Sequence, residues 1–166
     1  MQIRSAETAG FCFGVERAVS LAEQTAKSCA SAVTLGPIIH NRHVVERFEA
    51  MGLREIARAE DAQPGQTVVI RAHGIPVSEQ QTLAARGAKL VDATCPFVKK
   101  IHVIAQQAEE AGRHLLIIGT PTHPEVTAIA SYSSDAHVFQ TAQALESWLT
   151  EAPGRRDLPF CMVSQT

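Results

Sequence analysis

The strongest constraint on this chain is a rhythm. Short apolar runs of strand length are each followed by a polar tip and an amphipathic stretch of helix length. RHLLIIGT is the plainest run, and SAVTLG, TVVIRAHG, AKLVDAT, AHVFQ and LPFCMVSQ repeat its pattern. In GVERAVSLAEQTAKSCA, Val15, Val19, Ala22 and Ala26 recur at helical spacing opposite Glu16, Glu23 and Lys27. NRHVVERFEAMG, PFVKKIHVIAQQAEEAG, PEVTAIASYS and AQALESWLT read as further helices. SEQQTLAARG is another, with Ser78 as its N-cap and Gly87 as its C-cap. MQIRSA reads as an opening strand, and RAEDAQPGQ as a turn-rich connection. Apolar strands joined through helices require parallel pairing, right-handed crossovers and cover on both sheet faces. The expected class is therefore α/β, with two small lobes of mainly parallel sheet flanked by helices, residues 1–95 and 96–166.

Composition narrows the function classes. A hydrophobic content of 45% over 166 residues supports a core, and 5% aromatic makes it mostly aliphatic. A formal charge of −2 with no long Lys/Arg stripe argues against nucleic acid as a partner. No leader-like start appears, and no run approaches the roughly 18 apolar residues of a membrane span. A cytoplasmic protein without a membrane partner is expected. Cys12, Cys29, Cys95 and Cys161 contain no CxxC pair, so neither a disulfide framework nor a zinc ribbon is indicated. Cys29 on a helix and Cys161 in a strand read as small core residues.

The remaining reactive residues share one kind of place. Cys12, His40, His73, Cys95, and His123 with Glu125 each follow an apolar run and precede a helix, beside Gly, Pro or Asn. In parallel α/β sheets such loops lie on one edge, where ligands bind against helix N-termini. Two thiols, three imidazoles and a carboxylate would then line one rim. Histidines and helix-terminal amides suit a phosphate or diphosphate. A glutamate beside a histidine can carry a proton, and the thiols add soft metal-ligand character. For Cys12, a reactive or metal-binding role and an inert buried one both fit its local stretch, AGFCFGVERAV. Phe11 and Phe13 there read as core, or as shields of the site from water. His43, His102, His114 and His137 lie in helices or near strand ends and carry no such pattern. Two cysteines alone are too few for an iron–sulfur cluster, which draws thiolates from several loops. A cysteine–histidine hydrolase is a weak alternative. A nicotinamide-binding turn is excluded because GFCFGV lacks the GxGxxG spacing.

GFCFGVERAV, IIHN, RAHGIP, DATCPFVKKIH and HPEV together resemble the 4-hydroxy-3-methylbut-2-enyl diphosphate reductases, in the family's order and across the whole chain. The resemblance implies an iron–sulfur oxidoreductase of the non-mevalonate isoprenoid pathway. Such an enzyme removes the hydroxyl of an allylic diphosphate to give isopentenyl and dimethylallyl diphosphate. It implies three α/β lobes around a [4Fe-4S] cluster, with Cys12 and Cys95 as two of three cysteine ligands. His40, His73 and His123 match substrate-binding positions, Thr166 matches a threonine near the substrate, and Glu125 with His123 match the catalytic positions. A ferredoxin or flavodoxin-type donor would supply electrons. The third cysteine lies in the family beyond the SQT motif that ends here, and Cys161 does not match it. Residues 1–166 thus resemble two lobes of that fold, with residues 1–12 belonging to a third. A catalytically incomplete piece without a stable cluster is the alternative expectation.

Overall fold

Every strand pairing among the described residues is parallel. The computed structural model describes residues 3, 4, 6, 7 and 9–166. The first sheet comprises β1 (Val33–Leu35), β2 (Arg54–Ile56), β3 (Thr67–Ile70) and β4 (Lys89–Asp92), in the order β2-β1-β3-β4. The second comprises β5 (His114–Ile118), β6 (Ala136–Phe139) and β7 (Phe160–Ser164), in the order β6-β5-β7. Six α-helices accompany them among the described residues: α1 (Phe13–Ser28), α2 (Arg42–Ala50), α3 (Val77–Ala85), α4 (Pro96–Glu110), α5 (Pro124–Ala130) and α6 (Ala142–Thr150). The expected α/β class and parallel sheets are thus observed.

The first sheet is covered on both faces. Val69 joins Ala18 and Ala22 of α1 and Phe48 of α2 in one apolar layer. Its neighbours Val68 and Ile70 join Leu35, Ile75 and Leu83 in the other, following the period-two alternation of a strand. Ala18 and Ala22 are fully buried, and such small side chains let α1 lie close to the sheet. In the second sheet Leu115, Ile117 and Val163 pack on Ala105 and Ala108 of α4 and on Val126 and Ile129 of α5. Each large aliphatic side chain withdrawn from water in this way contributes about 1.5–3 kcal/mol.

Three local expectations are corrected. The opening strand MQIRSA is not formed at its described residues Ile3, Arg4 and Ala6, and its other three residues lie outside those described. The N-cap of α3 is Pro76, and Ser78 lies inside the helix. Proline suits that boundary because a missing N–H costs nothing where no helical partner exists. Arg54–Ile56, not anticipated as a strand, forms the outer strand of the first sheet.

Contacts between elements of the two sheets fix them together. The Val77 amide donates to Ser131 Oγ at 3.0 Å, and Gln80 Nε2 donates to the Tyr132 hydroxyl at 2.9 Å. His102 of α4 stacks on Tyr132 with centroids 4.8 Å apart. Its ring also lies so close to Gly74 (φ +74°) that a Cβ there would collide with it.

Candidate functional site

Both sequence-predicted thiols stand at helix N-termini. Cys12 is the N-cap of α1, and Cys95 is the N-cap of α4, followed by Pro96 at the first helical position. Cys12 is exposed and Cys95 half-buried. The Cys95 sulfur rests against Gly14, where an added Cβ would clash with Sγ and stand 3.2 Å from the Cys95 Cβ. A missing side chain at Gly14 is therefore what lets the first turn of α1, two residues beyond Cys12, approach Cys95. Arg17, one helical turn further on, reinforces the approach. Its guanidinium donates to the carbonyl oxygens of Thr94 at 3.1 Å and Asp92 at 3.3 Å. Phe11 and Phe13 are 46% and 63% exposed, so neither is core, and Phe97 beyond Cys95 is 66% exposed. The aromatic residues beside both cysteines are thus largely exposed among the described residues.

Backbone hydrogen bonds link adjacent loops of the rim. The Ala72 amide donates to Ile38 O at 3.2 Å, and the Cys95 amide donates to Ala72 O at 2.8 Å. These two bonds hold the loops carrying His40, His73 and Cys95 in step. The second sheet repeats the device: Gln165 N–H donates to Ile118 O at 2.8 Å, and the Thr120 amide donates to Gln165 Oε1 at 3.0 Å.

The three predicted histidines converge. Ring centroids are 4.8 Å apart for His40 and His73, 5.2 Å for His73 and His123, and 5.9 Å for His40 and His123. One ring nitrogen from each lies within 4.8 Å of the others. Burial first, then the neighbouring His40 and His123 and the Arg71 guanidinium, push the His73 pKa down to about 4. Its Nδ1 is buried without a hydrogen-bond partner. An unpaired buried donor or acceptor is costly, so His73 has a vacant polar valence that a ligand can satisfy. An anion against His73 would also favour the protonation that its burial and positive neighbours oppose.

His123 and Glu125 form the second half of the site. His123 caps α5, and its Nδ1 accepts the Glu125 amide at 3.2 Å. In that arrangement the ring proton resides on Nε2. The Glu125 side chain belongs to a residue only 2% exposed. Its Oε1 accepts the Thr166 amide at 2.7 Å, and the Thr166 hydroxyl lies 3.0 Å from each carboxylate oxygen. Glu125 is therefore oriented by two donors of one residue, the Thr166 amide and its hydroxyl, which the two carboxylate oxygens share, while Oε2 keeps unused acceptor capacity. His40, His73 and His123 are together in space, and Glu125 and Thr166 are joined to them through His123. Cys95 is joined to the same rim through Ala72. A cavity of about 200 Å³ lies behind the His73 loop, lined by Gly74, Gln80, Lys99, His102 and Tyr132, and is separate from the three rings.

This geometry can be set beside known proteins. The family model described as LytB protein matches residues 3–166. The chain belongs to that family. A 4-hydroxy-3-methylbut-2-enyl diphosphate reductase from Nitratidesulfovibrio vulgaris is 42% identical over 168 residues, covering 100% of this chain and 58% of the relative. The reductase of the same name from Aquifex aeolicus is 44% identical over 128 residues, covering 76% of this chain and 44% of the relative. Among solved structures, one of (E)-4-hydroxy-3-methyl-but-2-enyl diphosphate reductase, described as the terminal enzyme of the non-mevalonate pathway, superposes with a TM-score of 0.78. It is 38% identical, over 97% of this chain and 57% of that one. The E-1-hydroxy-2-methyl-but-2-enyl-4-diphosphate reductase of Plasmodium falciparum superposes with a TM-score of 0.86 at 26% identity, over 96% of this chain and 50% of that one. The chain thus spans only about half the length of these relatives. No helix among the described residues is long and apolar enough to cross a membrane.

Sequence reasoning missed Arg17 and Gln165, which hold the rim in place, and treated His102 as unremarkable. Arg17 and Gln165 act mainly on backbone groups, so no partner residue in the sequence marks them. His102 carried one usable signal, an imidazole on the apolar side of α4, at the spacing of Val98 and Ala105.

Proposed function

We propose that residues 1–166 form the cluster- and substrate-binding part of a 4-hydroxy-3-methylbut-2-enyl diphosphate reductase of the cytoplasm. The reaction removes the allylic hydroxyl with two electrons and protons, giving isopentenyl and dimethylallyl diphosphate. The observation carrying this reading is the convergence of His40, His73 and His123 beside a buried Glu125 locked by Thr166. The cluster ligands fit in kind: two cysteines at helix N-termini, the sulfur of one seated on the glycine two residues after the other. Cys12 and Cys95 would hold a [4Fe-4S] cluster with a third cysteine from outside these residues. When bound, that group supplies the electrons and a Lewis-acidic iron, fed by a ferredoxin or flavodoxin-type donor.

The chain's own residues do the rest. His40, His73 and His123 bind the diphosphate, with His123 donating from Nε2. The anion satisfies the vacant Nδ1 of His73 once that ring takes up a proton. Glu125 passes a proton toward the departing hydroxyl through Oε2, the oxygen that the Thr166 amide leaves free. Thr166 positions that carboxyl. By itself the 166-residue chain, with two of three thiolates, holds iron poorly and does not turn over.

Purification without oxygen of a longer protein carrying this chain tests the assignment. Cys12→Ser and Cys95→Ser should each abolish the broad visible absorption and the stoichiometric iron. Glu125→Gln should keep both but reduce turnover by at least about 100-fold. Intact clusters and turnover in both serine variants would remove the ligand assignment.

A further inference from the structure

The second sheet carries chemistry at both ends. Its carboxyl end leads to His123, Glu125 and Thr166. At its amino end stands another cluster that the reductase reading does not use. His114 opens β5, Asp135 immediately precedes β6, and His137 is the second residue of β6. The register pairs Leu115 with Ala136 and Leu116 with His137, which sets His114 opposite Asp135. Residues two apart on a strand share a face, so all three side chains occupy one face at one end. They are separated from the catalytic rim by the length of β5, about 13 Å.

The three groups already touch. His114 Nδ1 lies 2.5 Å from Asp135 Oδ2, and His137 Nε2 lies 2.7 Å from Asp135 Oδ1. One ligand atom from each lies within 4.8 Å of the others. An aromatic frame holds the imidazoles. His137 tilts against Trp148 at 4.5 Å, His114 meets the edge of Phe160 at 5.9 Å, and Trp148 and Phe160 stand 6.0 Å apart. Asp135 is held too: its amide donates to Ser133 Oγ at 3.2 Å, and its carbonyl accepts the Leu115 amide at 3.1 Å. All three side chains keep solvent access, between 27% and 47%. An ion can therefore reach them without opening the core.

We propose that His114, Asp135 and His137 form a site for a divalent transition-metal ion of the zinc type, distinct from the thiol and histidine rim. Two imidazole nitrogens and one carboxylate oxygen suit Zn²⁺, with water completing its shell. Mg²⁺ and Ca²⁺ prefer all-oxygen ligands and should bind poorly. Without the ion, Asp135 accepts an N–H from each ring. With it, the His114 proton moves to Nε2 and the His137 proton to Nδ1, and no redox change occurs. Metal bonds of about 2.0–2.1 Å at tetrahedral angles place ligand atoms about 3.3 Å apart. One ring–carboxylate contact needs to open by less than about 1 Å, and the ligand nitrogens of the two rings, within 4.8 Å of each other, need to close by up to about 1.5 Å, within the reach of side-chain rotation. The bound ion would staple the amino ends of β5 and β6.

Titration of the chain with Zn²⁺, read by imidazole nitrogen resonances and by competition with a chromogenic chelator, tests the site. Zn²⁺ should shift His114 Nδ1 and His137 Nε2 directly. His114→Ala, His137→Ala and Asp135→Asn should each weaken this binding by at least about tenfold. His73→Ala, which alters the other histidine cluster, should leave those two resonances responding as before. The nitrogen resonances of the unaltered chain decide the matter even where a variant misfolds. The proposal fails if only His40, His73 and His123 respond. It fails equally if the His114 and His137 variants bind Zn²⁺ as the parent does, or if Mg²⁺ competes at similar concentration.

Discussion

Gly14 shows how a single missing methyl group organises the site. Its backbone lies against the Cys95 sulfur, in space that a Cβ would fill. Gly14→Ala must push Cys95 aside or lift the first turn of α1, and overpacking of this kind costs about 1–3 kcal/mol. Denaturant unfolding should register that loss, and a longer protein carrying the variant should bind less iron than its parent while its His40–His73–His123 cluster persists. Full iron loading with unchanged stability would mean that the contact is slack. At this scale the sequence was most informative about residues that follow strands, because parallel topology sends those loops to one edge. His40, His73 and His123 were legible in that way, and the structure brings them together. Arg17 was not, since its partners are the carbonyls of Asp92 and Thr94, and any residue supplies a carbonyl.

Among the elements, α4 does the most unexpected work. Its His102 is buried between Gly74 and Tyr132, and its Nε2 has no partner. Burial dominates over the opposing influence of Asp92 and the reinforcing one of Lys99, pushing the pKa down to about 4 from 6.5. Below the ordinary value the unfolded chain takes up a proton that the folded chain refuses. His102 thus favours the fold fully above about pH 6.5, and that contribution fades as pH falls toward about 4, by up to about 1.4 kcal/mol per pH unit. His73 adds to the same acid limb. His102→Phe keeps a ring against Tyr132 and removes the nitrogens, so its stability measured by urea between about pH 7 and about pH 5 should fall less steeply than the parent's. Equal slopes would show that His102 titrates freely. Helices were easy to read from sequence because apolar residues recur over several turns. Strand β2 escaped notice because Arg54 and Glu55 are exposed on a three-residue edge, and short charged edges are how sheets avoid unwanted pairing.

Across the whole molecule the two sheets echo each other. Both place their first strand centrally, the second on one side and the third on the other, with parallel pairing throughout. In the first sheet β4 then covers the outer side of β3. In the second the corresponding side of β7 is open among the described residues, next to an apolar groove lined by Ile101, Ile104, Ile118 and Met162. Met162 is 55% exposed although it lies within a strand. An open apolar edge invites pairing with another chain. The 166-residue chain should therefore associate as its concentration rises, and Met162→Lys should suppress this while changing stability by no more than about 0.5 kcal/mol. In a longer protein carrying this chain, a further strand taking the place that β4 has on β3 would cover the same edge. Hydrogen exchange distinguishes these states: β7 amides should exchange faster than those of β5 in the 166-residue chain and gain protection in the longer one. Equal protection of β7 in both would mean that its edge is already satisfied, and that the echo between the sheets stops at three strands.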